Sequence, residues 1–339
     1  VIDMPEGTTL ERTGVVTKEI AQYLSTRPEV VNYQSYVGTS APITFNGLVR
    51  HYDLRGGSNM ADIQVNLTDK HDRIAQSHDI AKSMRDDIQT IGNKFNANIK
   101  LVEVPPGPPV LSTIVAEVYG PDYSKQIEVA NEVQNILNNT VDVVDVDWMV
   151  EDDQIEYEFV IDKEKAMLYG VAPQQIAYTM NLALSNRAIT TLYDEDAVNQ
   201  VGLVLALDEK EKSTITDISQ LKVKSQQGNM VPIADLVDIK QNTRAKSIYR
   251  KNQKRVVYVL ADMAGELESP VYAILGMEDK LKAIDLPEGS TMYELYLNQR
   301  EFDDEYSVKG DGEWQITLEG VSDLGLAFVG VICLSDILC

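Results

Sequence analysis

Cysteine is almost absent from this chain of 339 residues. Only Cys333 and Cys339 occur, and both lie within the last few positions. A disulfide framework, or a zinc site built on paired cysteine motifs, needs several cysteines at defined spacings, so both are excluded. The body of the chain also offers no thiol that could act as a nucleophile.

Basic residues are scarce relative to acidic ones. Lysine and arginine number 30 against 53 aspartates and glutamates, which gives a formal net charge of -23 at pH 7. A surface this negative repels phosphate backbones, so nucleic acid is excluded as a partner. The same charge is compatible with cationic ligands and, more simply, with a solvated acidic surface.

Motifs of catalysis and cofactor binding are also lacking. The segment Leu54–Ser58 contains two glycines but has neither the lysine of a P-loop nor the spacing of a dinucleotide-binding fingerprint. The three histidines show no metal-ligand spacing, and runs of adjacent acids such as Glu151–Asp153 are typical of solvent-facing segments. The sequence therefore predicts a protein that is not an enzyme and that has no catalytic residues, metal site or cofactor.

Two parts of the chain repeat the same order of predicted elements. Residues 1–111 follow the order βαββαβ, and the order begins again after the proline-rich segment Val104–Ser112. Proline fixes φ and supplies no backbone donor, so this segment is predicted to be a stiff boundary between two modules. The second unit is predicted to cover residues 112–151 and 245–297.

Residues 152–244 interrupt the second unit with their own pattern of helices and strands. The predicted fold class is therefore α+β, with two ferredoxin-like βαββαβ units, the second interrupted by an inserted mixed α/β domain. Residues 298–339 are predicted to connect to the start of a truncated transmembrane helix. Its apolar run, Leu324–Leu334, is shorter than the ~20 residues that a spanning helix needs, and Asp336 follows it.

Three motifs occur in a defined order along the chain. They are IDMPEGTTLERT at Ile2–Thr13, FVIDKEKAMLYGV at Phe159–Val171 and GNMVPIADL at Gly228–Leu236. With these motifs the chain resembles the second large periplasmic loop of resistance-nodulation-division (RND) efflux permeases of the acriflavin-resistance, AcrB type. The resemblance implies two porter subdomains, with an outer-funnel docking subdomain inserted in the second.

The resemblance also implies a function and partners. The chain would be the periplasmic substrate-binding and conduit portion of a proton-driven multidrug transporter in the bacterial inner membrane. Such transporters act as homotrimers with a periplasmic adaptor (membrane fusion) protein and an outer-membrane channel, and they export amphipathic small molecules.

Substrate-binding positions follow from the same resemblance. In the family the pocket is lined by the second strand of the first porter subdomain, the loop after it and the third strand. The corresponding residues in this sequence are Tyr33, Ser35, Val37, Phe45 and Gln64, with Asp147 at the entrance. Serine and glutamine stand where the relatives have phenylalanine, so a more polar pocket is expected. A carboxylate at the entrance, where the relatives carry a basic residue, is expected to favour cations.

Two alternatives remain open at the level of sequence. The first is the loop of a heavy-metal RND exporter, a branch that uses methionines in its cleft, although the ten methionines here are scattered along the chain. The second is a free-standing ligand-binding protein built from ferredoxin-like repeats, which would leave the inserted domain and the apolar tail unexplained.

Overall fold

Alternating apolar residues in the strands and apolar stripes on the helices produce a mixed α/β fold with mainly antiparallel sheets. The structure is a computed structural model that describes residues 1–42, 45–103, 110–265, 269–286, 292–295, 299–302 and 304–338. Unit 1 of the chain contains Val1–Asp153 and Ala245–Cys339, and unit 2 contains Gln154–Arg244. Most of the predicted proline-rich boundary, positions 104–109, lies outside the described residues.

The first half of unit 1, residues 1–103, contains one sheet with two long helices on a single face. Its elements are β1 (Ile2–Asp3), α1 (Leu10–Leu24), β2 (Val30–Thr39), α2 (Phe45–Val49), β3 (Gly56–Leu67), α3 (Ser77–Asn93) and β4 (Asn98–Ile99). The strand order is β2-β3-β1-β4, and all neighbours are antiparallel. Val16 and Ile20 of α1 and Ile80 and Ile88 of α3 pack into one core with Ala61 of the sheet.

The second half of unit 1 begins with β5 (Ile114–Tyr119), α4 (Tyr123–Asn138) and β6 (Val143–Trp148). Unit 2 follows with β7 (Ile155–Ile161), α5 (Lys163–Leu168), α6 (Pro173–Leu184), β8 (Ala188–Leu192), β9 (Val201–Val204), α7 (Ile215–Ser219), β10 (Lys222–Lys224), β11 (Met230–Pro232) and β12 (Val237–Thr243). Its strands form the antiparallel pairs β7 with β12, β8 with β9 and β10 with β11. Ala166, Ile176, Ile233 and Leu236 belong to a small core, so unit 2 has an apolar centre of its own.

After unit 2, the second half of unit 1 resumes. Its remaining elements are β13 (Arg250–Lys251), β14 (Lys254–Arg255), β15 (Val257–Met263), α8 (Pro270–Lys282), β16 (Tyr293–Leu295), β17 (Ser307–Gly312) and α9 (Glu313–Leu338). The second sheet has the order β16-β17-β5-β15-β6, in which β16 and β17 are parallel and the other pairs antiparallel. Helices α4 and α8 cover one face through a core that includes Val129, Ile274 and Val259.

Strand β17 corrects the boundary that the sequence placed at residue 297. Residues 298–339 were expected to be a connection, but β17 pairs with β5 along its whole length, from Ser307 opposite Tyr119 to Gly312 opposite Ile114. Gly312 has a φ of +79°, and a Cβ there would lie 2.6 Å from the carbonyl oxygen of Ser112. A glycine is therefore required where the chain passes from the sheet into α9.

Helix α9 is longer than the apolar run in the sequence indicates. It extends over Glu313–Leu338, and Glu313–Ile332 is long and apolar enough to cross a membrane, with a mean hydropathy of 1.4. The most apolar part of this segment is not buried in the structure. The sequence expectation counted only the uninterrupted apolar run, whereas the helix also includes the turns before Leu324, which contain Glu319 and Asp323.

Removal of unit 2 tests whether each unit folds by itself. Ile155 pairs with Thr243, and the Arg244 amide donates to the Gln154 carbonyl at 2.8 Å, so the two ends of unit 2 are adjacent. We expect a chain in which residues 154–244 are replaced by a short Gly-Ser linker to keep the fold of unit 1, because the cores are separate. Far-UV circular dichroism and thermal melting would measure this. Loss of a cooperative transition would contradict it.

Candidate functional site

The register between β2 and β3 determines which side chains share a face of the first sheet. In this register the predicted site residues Tyr33, Ser35 and Val37 lie opposite Val65, Ile63 and Ala61. Ala61 is fully buried, and Ile63 and Val65 pack against the same core. Val37 also packs there, whereas Tyr33 and Ser35 are exposed on that face of the edge strand. These three residues therefore lie on the face that α1 and α3 cover.

The opposite face of β2 and β3 carries a ladder of polar side chains. Asn32 pairs with Asn66, Gln34 with Gln64 and Tyr36 with Asp62, and we call these six residues the open face. The Asn66 side chain donates to the Asn32 Oδ1 at 2.7 Å, and the Tyr36 hydroxyl donates to the Gln34 Oε1 at 2.6 Å. The Nε2 donors of Gln34 and Gln64 make no hydrogen bond to another described residue. The open face can therefore offer hydrogen bonds to a ligand.

Of the four predicted strand residues, the register places Gln64 alone on the open face. Successive strand residues point to opposite faces, so Tyr33 and Ser35 lie on the face of β2 opposite to that of Gln34 and Tyr36, and their contact with a substrate stays a prediction. Phe45 is the first residue of α2, and its side chain lies outside the described residues. Its contact with a substrate therefore stays a prediction.

Lys100 forms an ion pair between the first half of unit 1 and the second half. It follows β4, is 9% exposed, and its Nζ contacts the Asp147 carboxylate and, at 2.9 Å, Asp3 Oδ2. Burial alone lowers the pKa of this lysine, but the two carboxylates outweigh it and the pKa is raised. Asp147, on β6, thus has a lysine partner that it shares with Asp3, and the expected preference of Asp147 for a cationic ligand stays a prediction.

Arg55 extends the charged network into the first sheet. Its guanidinium contacts the carboxylates of Asp3 and Asp62, and its Nη2 donates to the Ile2 carbonyl at 3.1 Å. Burial alone raises the pKa of Asp3, but Lys100 and Arg55 together hold that pKa below its ordinary value. Asp3 is therefore an anion shared by two cations, one on each side of it.

A bulge in β6 positions a second ion pair between the two halves of unit 1, at what we call the junction. Asp145 has a φ of 53°, in the left-handed region, and the register with β15 shifts between Leu260 and Asp262. The Asp145 side chain is 1% exposed, contacts the Arg85 guanidinium of α3 and accepts from the Leu101 amide at 3.0 Å. Burial raises the pKa of Asp145 despite Arg85. A buried carboxylate of this kind depends on its arginine.

Arg50 and Asp262 form a third pair between the halves. Two nitrogens of the Arg50 guanidinium donate to the two carboxylate oxygens of Asp262, at 2.7 and 3.3 Å. The Asp262 Oδ1 also accepts from Ser112 Oγ and from the amide and hydroxyl of Thr113, at 2.9 to 3.0 Å. These donors outweigh burial and lower the pKa of Asp262.

In all three ion pairs the positive charge lies in the first half of unit 1 and the negative charge in the second. Lys100, Arg85 and Arg50 belong to the first half, and the carboxylates that they contact across the junction, Asp147, Asp145 and Asp262, belong to the second. Lys82 of the first half adds a hydrogen bond to the carbonyl of Gly265 in the second. The junction can therefore hold the halves together, or release them, through charges of opposite sign on the two sides.

The described residues were also inspected for metal ligands. They contain no group of three or more histidine, cysteine, aspartate or glutamate side chains placed to hold a metal ion. Met4 and Met84 are both buried in the core of the first half, so core packing accounts for them.

Substitution of Lys100 tests the junction. We expect Lys100→Met to lower the free energy of unfolding by about 3 kcal/mol, because it leaves Asp3 and Asp147 partly buried without their ammonium partner. The control is Lys94→Met, which removes an exposed pair with Glu19 and should cost less than ~1 kcal/mol. Urea unfolding of both variants provides the measurement, and equal costs would contradict the role of Lys100.

Comparison with known proteins shows which sequences this chain is similar to. Residues 1–301 match the sequence profile of the AcrB/AcrD/AcrF family. The chain is 21% identical over 217 residues to the swarming motility protein SwrC of Bacillus subtilis, which covers 64% of this chain and 19% of that protein. It is 24% identical over 161 residues to the nickel and cobalt resistance protein CnrA of Cupriavidus metallidurans, which covers 46% of this chain and 15% of that protein.

Solved structures match over nearly the whole chain. Two crystal forms of a heavy metal efflux pump superpose with TM-scores of 0.75 and 0.76, at 14% and 15% identity. The matches cover 98% and 99% of this chain but 32% and 33% of the pump. The chain thus spans about a third of the length of these structures and less than a fifth of the length of the two curated relatives.

Proposed function

Because the chain belongs to the AcrB/AcrD/AcrF family, we propose that it forms the periplasmic substrate-binding and conduit portion of a proton-driven RND efflux transporter. The observation that carries the proposal is the open face of the first sheet together with the junction of ion pairs beside it. Amide and phenol groups bind ligands through hydrogen bonds, and paired charges can hold or release the two halves. This arrangement favours ligand binding and conformational change over catalysis.

The two halves of unit 1 are assigned to the two porter subdomains, and unit 2 to the docking subdomain. In the first half, an antiparallel sheet of order β2-β3-β1-β4 with two helices on one face fits a ferredoxin-like βαββαβ unit. In the second half, β6, β15, β5 and β17 stand in the corresponding order, and unit 2 lies in sequence between β6 and β15. This relation supports an inserted docking subdomain.

The substrate is an amphipathic small molecule with hydrogen-bonding groups in its polar part. Gln34, Tyr36 and Gln64 offer uncharged donors and acceptors on the open face, where an aromatic-lined pocket would offer apolar surface. The adjacent carboxylates of Asp3 and Asp147 are occupied by Lys100 and Arg55, so charge contributes little to substrate selection while the halves are joined.

The complete transporter is a homotrimer that works with a periplasmic adaptor protein and an outer-membrane channel. This chain lies on the periplasmic side of the inner membrane, and α9 enters the bilayer directly after β17. The exposed apolar surface of α9 and the absence of a loop between strand and helix support that position. Movement of the helix would then be transmitted to the second sheet without an intervening linker.

A metal substrate is the second candidate. Similarity to a nickel and cobalt resistance protein favours it. The polar groups of the open face favour the first candidate, because amide and phenol groups are weaker ligands than imidazole or thiolate for such metals.

The test uses the full-length transporter that contains this segment and measures export of a neutral polyhydroxylated detergent. We expect Gln34→Ala and Gln64→Ala each to lower export about 2- to 10-fold, since each removes one or two hydrogen bonds. Ser35→Ala is the matched control, because Ser35 lies on the same strand and faces the other way. It should leave export unchanged.

The outcomes separate the candidates. If the control lowers export as much as Gln34→Ala and Gln64→Ala do, the open face is not the substrate surface. If the two glutamine variants change nickel or cobalt tolerance and leave detergent export intact, the metal candidate replaces the first. If the parent exports neither substrate, the proposed transport function is wrong.

A further inference from the structure

A buried carboxylate in the second sheet is connected to the first turns of α9. Glu117 of β5 is fully buried and lies in register between Lys309 of β17 and Tyr258 of β15. Strand β17 continues into α9 without a loop. Glu117 is therefore separated by only two residue contacts from the helix that we assign to the membrane.

Hydrogen bonds and an ion pair form the connection. The Tyr119 hydroxyl donates to Glu117 Oε2 at 2.8 Å, and Lys309 Nζ lies 3.6 Å from the same oxygen. Lys309 then donates to Gln315 Oε1 at 2.8 Å, and Gln315 donates to Glu319 Oε1 at 2.7 Å. Lys309 is 4% exposed, so its ammonium has little water to replace a lost partner.

Other charged groups complete the surroundings of Glu117. Lys251 of β13 contacts the carboxylates of both Glu117 and Asp311. Burial raises the pKa of Glu117. At Asp311, a hydrogen bond from the protonated form of Glu117 and the contact with Lys251 outweigh burial and lower the pKa to about 2. As the pH falls, Glu117 therefore takes up a proton well before Asp311, and Lys309 loses its nearest anion while Lys251 keeps Asp311.

We propose that Glu117, Lys309 and Gln315 form a proton-sensitive tie that holds the first turns of α9 against the second sheet. With Glu117 ionised, Lys309 is fixed between Glu117 and Gln315. With Glu117 protonated, the buried Lys309 lacks a counter-ion, and separation of α9 from the sheet hydrates it. This property of the second half is independent of which substrate the open face binds.

Trp314 is a natural reporter of this contact. It lies in the first turn of α9, is 5% exposed and belongs to the core of the second half. Its ring packs so closely on Gly310 that a Cβ there would lie 2.9 Å from it. The other tryptophan of the chain is Trp148, so Trp148→Phe leaves Trp314 as the single tryptophan.

The experiment records Trp314 fluorescence of the whole 339-residue chain in detergent micelles while the pH is lowered from neutral. We expect one step to longer wavelength, at a pH above the ordinary glutamate value of about 4.3. Glu117→Gln should give the long-wavelength emission at every pH and lose the step. Glu132→Gln, an exposed glutamate of α4, is the control and should keep it.

Tyr119→Phe provides an independent variant that conserves volume. It removes the hydrogen bond that stabilises the ionised form of Glu117, so the step should move to higher pH. A parent protein without a step would overturn the proposal. So would a Glu117→Gln protein that has native circular dichroism and keeps the step, or a Tyr119→Phe protein whose step does not move.

Discussion

Opposite charges on the two sides of one junction are the constraint on which the rest of unit 1 depends. The first half contributes Lys100, Arg85 and Arg50, and the second contributes their partners Asp147, Asp145 and Asp262. Partly buried charges are costly to leave unpaired, so each pair resists separation even where it adds little net stability. The junction is therefore firm while every pair is satisfied.

Strand register determines which residues can meet a ligand. The alternation in β3 is visible in the sequence, since Ala61, Ile63 and Val65 are apolar and the residues between them are polar. Sequence reasoning predicted both strands and took Tyr33, Ser35, Val37 and Gln64 from the family resemblance, without assigning them to a face of the sheet. The face of β2 depends on its pairing with β3, which no single-strand pattern specifies, so the sequence could not show that Tyr33 and Ser35 lie on the face opposite to that of Gln34 and Tyr36.

Other features were not accessible from local patterns. Strand β17 contains Lys309, Asp311 and two glycines, a composition that argues against a strand until Glu117 and Lys251 provide partners for its charges. The ion pair of Asp147 was hidden for a similar reason, because Lys100 is remote in sequence and meets it only in the folded chain. Asp145 reaches Arg85 through a bulge with left-handed φ, which the sequence does not reveal. The family motifs and the broad α/β architecture, by contrast, were predictable because they depend on short segments.

The central claim is that ion pairs hold the two halves of unit 1 together. A double-mutant cycle on the most buried pair tests it most directly, with Arg85→Met, Asp145→Asn and the combination compared in urea unfolding. The account predicts that the two substitutions are coupled by about 1.5 kcal/mol or more, as found for close charge pairs in interfaces. Costs that add to within about 0.5 kcal/mol would contradict it, since independent sites behave in that way.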